Sequence, residues 1–207
     1  MKFPNKKYKS SSFFFSDYIS TLFGVLKDKD FDYLSKITGY LEKKIKSEKS
    51  IFVCGNGGSA SIANHFLCDF NKGIKESSLK KRVPKIISLS NSIELITAVA
   101  NDISYDQIFS YQLENLSQAK DCIILFSCSG KSKNIINAAR YAIENKIDII
   151  SFIGFGSNSF LEKNSKFILN LQVKNYGIAE DIFQIVMHMI SQYIRQGYIK
   201  NSRKKIL

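Results

Sequence analysis

Residues 55–60, with the sequence GNGGSA, could bind an anion because they are rich in glycine and precede a segment with helical spacing. Glycine permits backbone conformations closed to other residues and lets main-chain N–H groups approach a ligand. A helix that begins here adds the partial positive charge of its N-terminus, which favours phosphate. Two other interpretations stay open: a tight turn without a ligand, and a dinucleotide loop, since the segment fits G-x-G-x-x-A. Against the latter, Ser90 and Asn91 stand where a ribose-binding acid is expected.

A second loop, SCSGKS, begins at Ser127 and also precedes a helical pattern. Its last three residues are similar to the end of a phosphate-binding P-loop, but Leu125 occupies the position of that motif's first glycine. Ser127, Ser129 and Ser132 offer three hydroxyl donors near a helix N-terminus, which suits one phosphate monoester. Helix capping alone accounts for only one of these serines.

The chain has two histidines, and the first has a carboxylate one helical turn away. Asp69 follows His65 at i+4, so both side chains can leave the same face of a helix. A histidine and a carboxylate at this spacing make half of a metal site, although such a pair is also a common surface or core contact.

The second histidine belongs to a mostly apolar helical segment, residues 180–196. At about 100° per residue, four of its polar residues fall within about 80° of Glu180 on a helical projection. These four are Gln184, His188, Ser191 and Arg195. Such a stripe faces either solvent or an internal polar site, and the sequence leaves both open. If it faces a site, Glu180 and His188 can meet His65 and Asp69 only where the last helix reaches the first loop, which could require another subunit.

The elements that hold these residues alternate between apolar runs and helical patterns. The runs are short, continuous and rich in Ile, Val or Phe, as expected of strands covered on both faces. They span 51–54, 86–89, 122–126, 147–153 and 167–171, and the helical patterns span about 17–48, 59–72, 105–118, 132–145 and 180–196. This alternation predicts a doubly wound parallel sheet. Ligands of such sheets bind at the carboxyl ends of the strands, where both loops lie.

The charge of the chain is concentrated near its ends. The 207 residues carry a formal net charge of +12, of which the lysines before residue 10 and the basic residues from Arg195 onward supply nine. This distribution favours solvated basic tails over a nucleic-acid or membrane footprint, so no nucleic-acid or membrane partner is expected. Four cysteines without paired or metal-finger spacing favour a reducing, cytoplasmic compartment. No segment approaches the roughly 18 apolar residues of a membrane span.

Together these residues resemble those of the SIS (sugar isomerase) domain family, most closely its phosphoheptose isomerase branch. The resemblance rests on four blocks in family order. They are GNGGSA followed by His65, Ala100-Asn101-Asp102 followed by Ile108-Phe109-Ser110, SCSGKS, and the late helix with His188.

The resemblance implies a three-layer α/β/α sandwich with a five-stranded, parallel, flavodoxin-like sheet and an N-terminal helical extension. It implies a single SIS domain over residues 1–207, with the extension at about 1–48, the α/β core at 49–196 and a basic tail at 197–207. It also implies a homotetramer with active sites at the subunit interfaces.

The resemblance further implies a set of site residues. The sugar-phosphate substrate would be bound by Asn56, Gly57, Gly58, Ser59, Asn101, Asp102, Ser127, Cys128, Ser129 and Ser132. Zinc would be held by His65, Asp69, Glu180 and His188. The implied reaction is aldose–ketose isomerisation through an enediol, with the residue at Asp69 as base and His188 as acid.

Three positions depart from the family pattern, which has Glu at Asp69, Gln at Glu180 and Thr at Cys128. The missing methylene retracts the carboxylate at position 69 by about 1.5 Å, enough to cost on the order of a hundredfold in rate. A second carboxylate would also cancel the net charge of a zinc site that the family leaves positive. We therefore hypothesise that Glu180 shares or inherits the role of the base.

The expected function is conversion of sedoheptulose 7-phosphate into D-glycero-D-manno-heptose 7-phosphate, a precursor of lipopolysaccharide or capsule heptose. One alternative is a non-catalytic SIS module that binds a sugar phosphate or a protein partner, as replication-initiator-associating members do. The other is an isomerase of a different sugar phosphate, because phosphate loops recognise only one end of the ligand.

Overall fold

The computed structural model describes residues 2–79, 81–156 and 159–198 of the chain. The elements begin with two helices and then alternate between strands and helical segments. In chain order they are α1 (Ser11–Val25), α2 (Asp28–Lys46), β1 (Ser50–Gly55), α3 (Gly58–Cys68), a π-helical turn (Asp69–Ile74), α4 (Lys75–Ser77), β2 (Lys85–Ser88), α5 (Ile93–Val99), a second π-helical turn (Ala100–Ser104), a 3₁₀ turn (Tyr105–Gln107), α6 (Ser110–Leu116), β3 (Cys122–Ser127), α7 (Lys133–Glu144), β4 (Asp148–Ile153), α8 (Ser159–Asn164), β5 (Phe167–Asn170) and α9 (Tyr176–Gln196).

The five strands form one parallel sheet in the order β2-β1-β3-β4-β5. This is the flavodoxin-like order, so the predicted fold class is confirmed. The central strand β3 is buried along its whole length, which explains its uninterrupted apolar sequence. The strand order reverses between β1 and β3, and the loops that follow these two strands therefore open onto one crevice.

Helices cover both faces of the sheet, and the sheet divides the hydrophobic core into two parts. Along β1, Ile51 and Val53 point into a core shared with α2, α3 and α9. Phe52 and Cys54 point the other way, into a core shared with α5, α6, α7 and α8. This alternation follows from the two-residue period of a strand, and it produces the predicted three layers.

The helical segment predicted at about 17–48 is two helices rather than one. The backbone becomes extended at Leu26, and α2 begins with a capping interaction in which the Lys27 N–H donates to Asp30 Oδ2 at 2.8 Å. The last helix begins at Tyr176 instead of residue 180, because Asn175 caps it by accepting from the Ile178 N–H at 2.8 Å. Local polar contacts thus moved these boundaries, since apolar spacing does not report them.

Three short helices, α4, α5 and α8, have no counterpart among the predicted patterns, and the pattern at 105–118 becomes an α-helix only at Ser110. The proposed division into extension, core and tail stays a prediction. Residues 199–207 of the predicted basic tail lie outside the described residues. In the described ranges, no helix is both long and apolar enough to cross a membrane.

Candidate active site

The two loops singled out in the sequence meet at the carboxyl edge of the sheet. Gly55 at the end of β1 lies in register with Phe126 of β3, so residues 55–60 and 127–132 leave the sheet side by side. Together with the start of α9 they line one open cavity. The lining residues are Asn56, Gly57, Gly58, Ser59, Phe126, Ser127, Cys128, Ser129, Ser132, Tyr176 and Glu180.

The glycine loop needs two of its glycines for different reasons. Gly57 has a φ of +55°, a conformation that other residues rarely adopt. At Gly58 the backbone approaches α9 so closely that a Cβ would overlap the carboxylate of Glu180. The loop therefore places the N-terminus of α3 directly against this carboxylate, where the helix dipole favours negative charge.

A pair of asparagines ties the glycine loop to the first turn of α7. Asn56 donates to Asn134 Oδ1 at 3.0 Å, and Asn134, which is 1% exposed, donates back to Asn56 Oδ1 at 2.9 Å. The hydroxyl of Tyr105 also donates to Asn56 Oδ1, at 3.0 Å. Most of the hydrogen-bonding capacity of the Asn56 side chain is thus used by the protein, which fixes the shape of the glycine loop.

The serine loop keeps hydroxyl hydrogens available for a ligand. Ser127 Oγ accepts from the Gly130 N–H at 3.1 Å, and Ser129 Oγ accepts from the Lys131 N–H at 3.2 Å. A hydroxyl that accepts can still donate its own hydrogen. Ser132 precedes α7 without making a side-chain cap. The geometry therefore leaves the serines able to donate to phosphate oxygens, as the sequence predicts.

Among the described residues that line this cavity, Glu180 is the one carboxylate. Its Oε1 accepts from Ser59 Oγ at 3.1 Å and lies 3.8 Å from Cys128 Sγ. Burial and the adjacent Glu180 carboxylate raise the pKa of the Cys128 thiol to about 12. Cys128 is therefore a neutral thiol at neutral pH and not an activated nucleophile.

His65, Asp69 and His188 form a compact cluster farther along the contact between α3 and α9. The Nε2 atoms of the two histidines are 3.2 Å apart. Asp69 Oδ1 is 3.4 Å from His65 Nε2, and Asp69 Oδ2 is 3.7 Å from His188 Nε2. The predicted convergence of the two helices thus occurs within a single chain.

The cluster has the donor spacing of a metal site. With zinc–nitrogen distances of 2.0–2.1 Å, neighbouring ligands of a tetrahedral ion lie roughly 3.3 Å apart. One ligand atom from each of the three residues can be chosen so that all lie within 4.8 Å of one another. Asp69 opens the first π-helical turn, and Ser191 donates to its Oδ2 at 3.3 Å. The three side chains could therefore hold a divalent metal ion.

Comparison with known proteins agrees with this geometry. A family model described as SIS domain matches residues 14–154. The chain belongs to the SIS domain family. The "Probable phosphoheptose isomerase" of Thermoplasma acidophilum is 34% identical over 169 residues, which cover 80% of this chain and 90% of that protein. The phosphoheptose isomerase of Campylobacter concisus is 31% identical over 156 residues, covering 74% and 79%.

Solved structures show the same SIS fold. Phosphoheptose isomerase GmhA from Neisseria gonorrhoeae gives a TM-score of 0.78 at 22% sequence identity, covering 90% of this chain and 97% of that chain. The phosphoheptose isomerase from Francisella tularensis gives the same score at 21% identity, covering 90% and 99%. At these identities the likeness establishes the fold.

The SIS domain places three of the predicted site residues away from their expected positions. Glu180 is not part of the His65 cluster, because its carboxylate is held by Ser59, which lies on α3 six residues before His65. Asn101 and Asp102 are exposed, do not line the cavity, and are joined by a 2.7 Å hydrogen bond. They lie in the second π-helical turn, Ala100–Ser104.

Other residues of the site, among them Tyr176, Asn134 and Gln184, were absent from the predicted set. Tyr176 lines the cavity because α9 begins earlier than the apolar pattern indicates. Asn134 is an unremarkable polar residue in sequence, and only its partner Asn56 reveals its role. Gln184 contacts His188, and its place in the polar stripe of α9 was the available signal.

Proposed function

We propose that this SIS-domain protein is a phosphosugar isomerase that converts sedoheptulose 7-phosphate into D-glycero-D-manno-heptose 7-phosphate. The observation that carries the proposal is the cavity at the carboxyl edge of β1 and β3, lined by serine hydroxyls and by one carboxylate. Membership in the SIS domain family and the names of the relatives point to the same reaction class. The serine loop would bind the phosphate, and the carboxylate would act on the sugar.

Glu180 is the base in this proposal. Because it lines the cavity, its carboxylate is accessible to a bound sugar, whereas the Asp69 carboxylate faces two imidazoles and accepts from Ser191. Glu180 would remove the proton from C1 of the ketose and return it to C2, ending as a carboxylate again. Meanwhile the hydroxyl proton on O1 passes to O2, so that an aldehyde forms at C1.

The cofactor in this proposal is zinc, held by His65, Asp69 and His188. Zinc would supply Lewis acidity toward the carbonyl oxygen of the sugar. Since Nε2 of His188 points into the cluster, that nitrogen cannot both hold a metal ion and donate a proton. We therefore assign His188 to metal binding instead of the acid role implied by the family resemblance.

The decisive experiment is an NMR time course in D₂O with sedoheptulose 7-phosphate and a panel of pentose and hexose phosphates. The proposal expects conversion of the seven-carbon substrate with deuterium incorporated at C2 of the product. Binding without conversion would overturn the enzyme and favour a sugar-phosphate binding module. Faster conversion of a pentose or hexose phosphate would overturn the assigned substrate.

The base is tested by the same exchange reaction in two variants, Glu180→Gln and Asp69→Asn. Loss of a general base costs about 10²–10⁴ in rate, and this loss is expected for Glu180→Gln. Full activity of Glu180→Gln together with an inactive Asp69→Asn would return the base to position 69.

We further propose that the protein is a cytoplasmic homotetramer. Both α1 and α9 expose apolar side chains one turn apart, which a partner subunit would cover. These are Phe15, Ile19 and Phe23 on α1 and Ile185, Met189 and Tyr193 on α9. The cysteines, all within the described ranges, are free thiols, as a reducing compartment requires. Light scattering of the purified protein tests the tetramer, and a monomeric mass would refute it.

A further inference from the structure

We propose that Gln184, and not Glu180, is the fourth protein ligand of the metal ion held by His65, Asp69 and His188. This inference rests on the proposed metal site and concerns a residue that the family resemblance did not assign.

Glu180 is already engaged elsewhere. Its carboxylate accepts from Ser59 and packs against the backbone of Gly58, at the N-terminus of α3. It does not belong to the compact group formed by the two histidines and Asp69. Glu180 lies two turns before His188 on α9, whereas Gln184 lies one turn before it and shares its helical face.

Gln184 reaches the cluster directly. Its terminal amide nitrogen lies 2.8 Å from His188 Nε2, which is itself 3.2 Å from His65 Nε2. Rotation of the amide about its last side-chain bond exchanges its nitrogen and oxygen in nearly the same volume. When the lone pair of His188 Nε2 is directed at a metal ion, the amide oxygen is the Gln184 atom suited to the same ion.

The charge of the site supports this assignment. With Glu180 as fourth ligand, two carboxylates would neutralise a divalent ion. With Gln184, the Asp69 carboxylate is the single anionic ligand, and one net positive charge remains to polarise a carbonyl oxygen. In this assignment Asp69 is the metal-binding carboxylate, and Glu180 remains in the cavity as a carboxylate that does not bind the metal.

The test is zinc affinity, measured without substrate by competition with a chromophoric chelator. Gln184→Met removes the amide at nearly constant length, and Glu180→Met makes the matched change one turn earlier on α9. We expect Gln184→Met to weaken zinc binding on the order of 10–100-fold, the range seen when the surroundings of a metal site are altered. We expect Glu180→Met to change it less than about twofold, and Gln184→Glu, which keeps a ligand oxygen, to restore tight binding.

Weaker zinc binding in Glu180→Met with unchanged binding in Gln184→Met would overturn the proposal in favour of the family set. Unchanged binding in both variants would also overturn it, because the fourth ligand would then not be either side chain. Thermal denaturation of each variant verifies that the fold is retained. If the wild-type protein binds zinc no more tightly than the His65→Ala variant, the proposed metal site itself is refuted. The NMR assay on the same preparation then tells whether isomerase activity fails as well.

Discussion

Gly58→Ala should disable the site while leaving the fold intact. Gly58 is the first residue of α3 and has no positive φ, so alanine fits its backbone. The new Cβ would lie 2.7 Å from Glu180 Cδ and 2.8 Å from Oε1. Ordinary carbon contacts begin at about 3.5 Å, so the carboxylate must move by about 1 Å.

The energetic cost of this movement is small, because the atoms displaced are the end of a flexible side chain. Loss of the hydrogen bond between Glu180 and Ser59 costs about 1 kcal/mol, and alanine at a helical position returns up to about 1 kcal/mol. The catalytic cost is larger, since misplacing a reacting group by about 1 Å can lower the rate on the order of a hundredfold. We therefore expect a melting temperature near that of the wild type and a kcat lowered about a hundredfold.

Two further variants make the test specific. Gly55→Ala puts a Cβ 2.7 Å from the backbone of Ser59, which cannot move aside, and should destabilise the protein by about 1–3 kcal/mol. The double variant Gly58→Ala/Glu180→Gln should be no slower than Glu180→Gln alone, because both changes act on the same group. Wild-type kcat in Gly58→Ala, or additive losses in the double variant, would refute the role given to Glu180.

Three other predictions follow from contacts around the sheet. Although partial burial opposes it, hydrogen bonds from neighbouring groups lower the pKa of Asp148 to about 2. Its stabilising effect should be present above about pH 4 and lost toward pH 2, and acid titration of stability should show a weaker dependence in Asp148→Asn. Asn134→Ala removes both hydrogen bonds between Asn134 and Asn56, so it should lower the free energy of unfolding by about 1–3 kcal/mol. It should also weaken phosphate binding, which calorimetry measures. Because the pKa of Cys128 is raised, iodoacetamide at pH 8 should label exposed Cys68 first, and Cys128→Ser should keep its kcat within a few fold.

Local sequence determined the framework of this protein. Continuous apolar runs identified the strands, because a central parallel strand is buried on both faces and carries no polar alternation. The glycine and serine loops were recognisable because their backbone and capping requirements act within a few residues. Likewise, the i+4 spacing of His65 and Asp69 placed both on one helical face before any tertiary contact was known.

The tertiary structure alone decided how these parts combine. Glu180, Gln184 and His188 share one stripe of α9. Their spacing alone does not tell which residue of α3 each of them contacts. That depends on the close approach of Gly58 to α9, a contact between residues more than a hundred positions apart. Nor does the sequence reveal that Asn56 is held by Asn134, because a buried amide finds its partner only when the glycine loop packs against α7. Helix and strand patterns arise from neighbouring residues, whereas the chemistry of the site depends on the packing of distant ones.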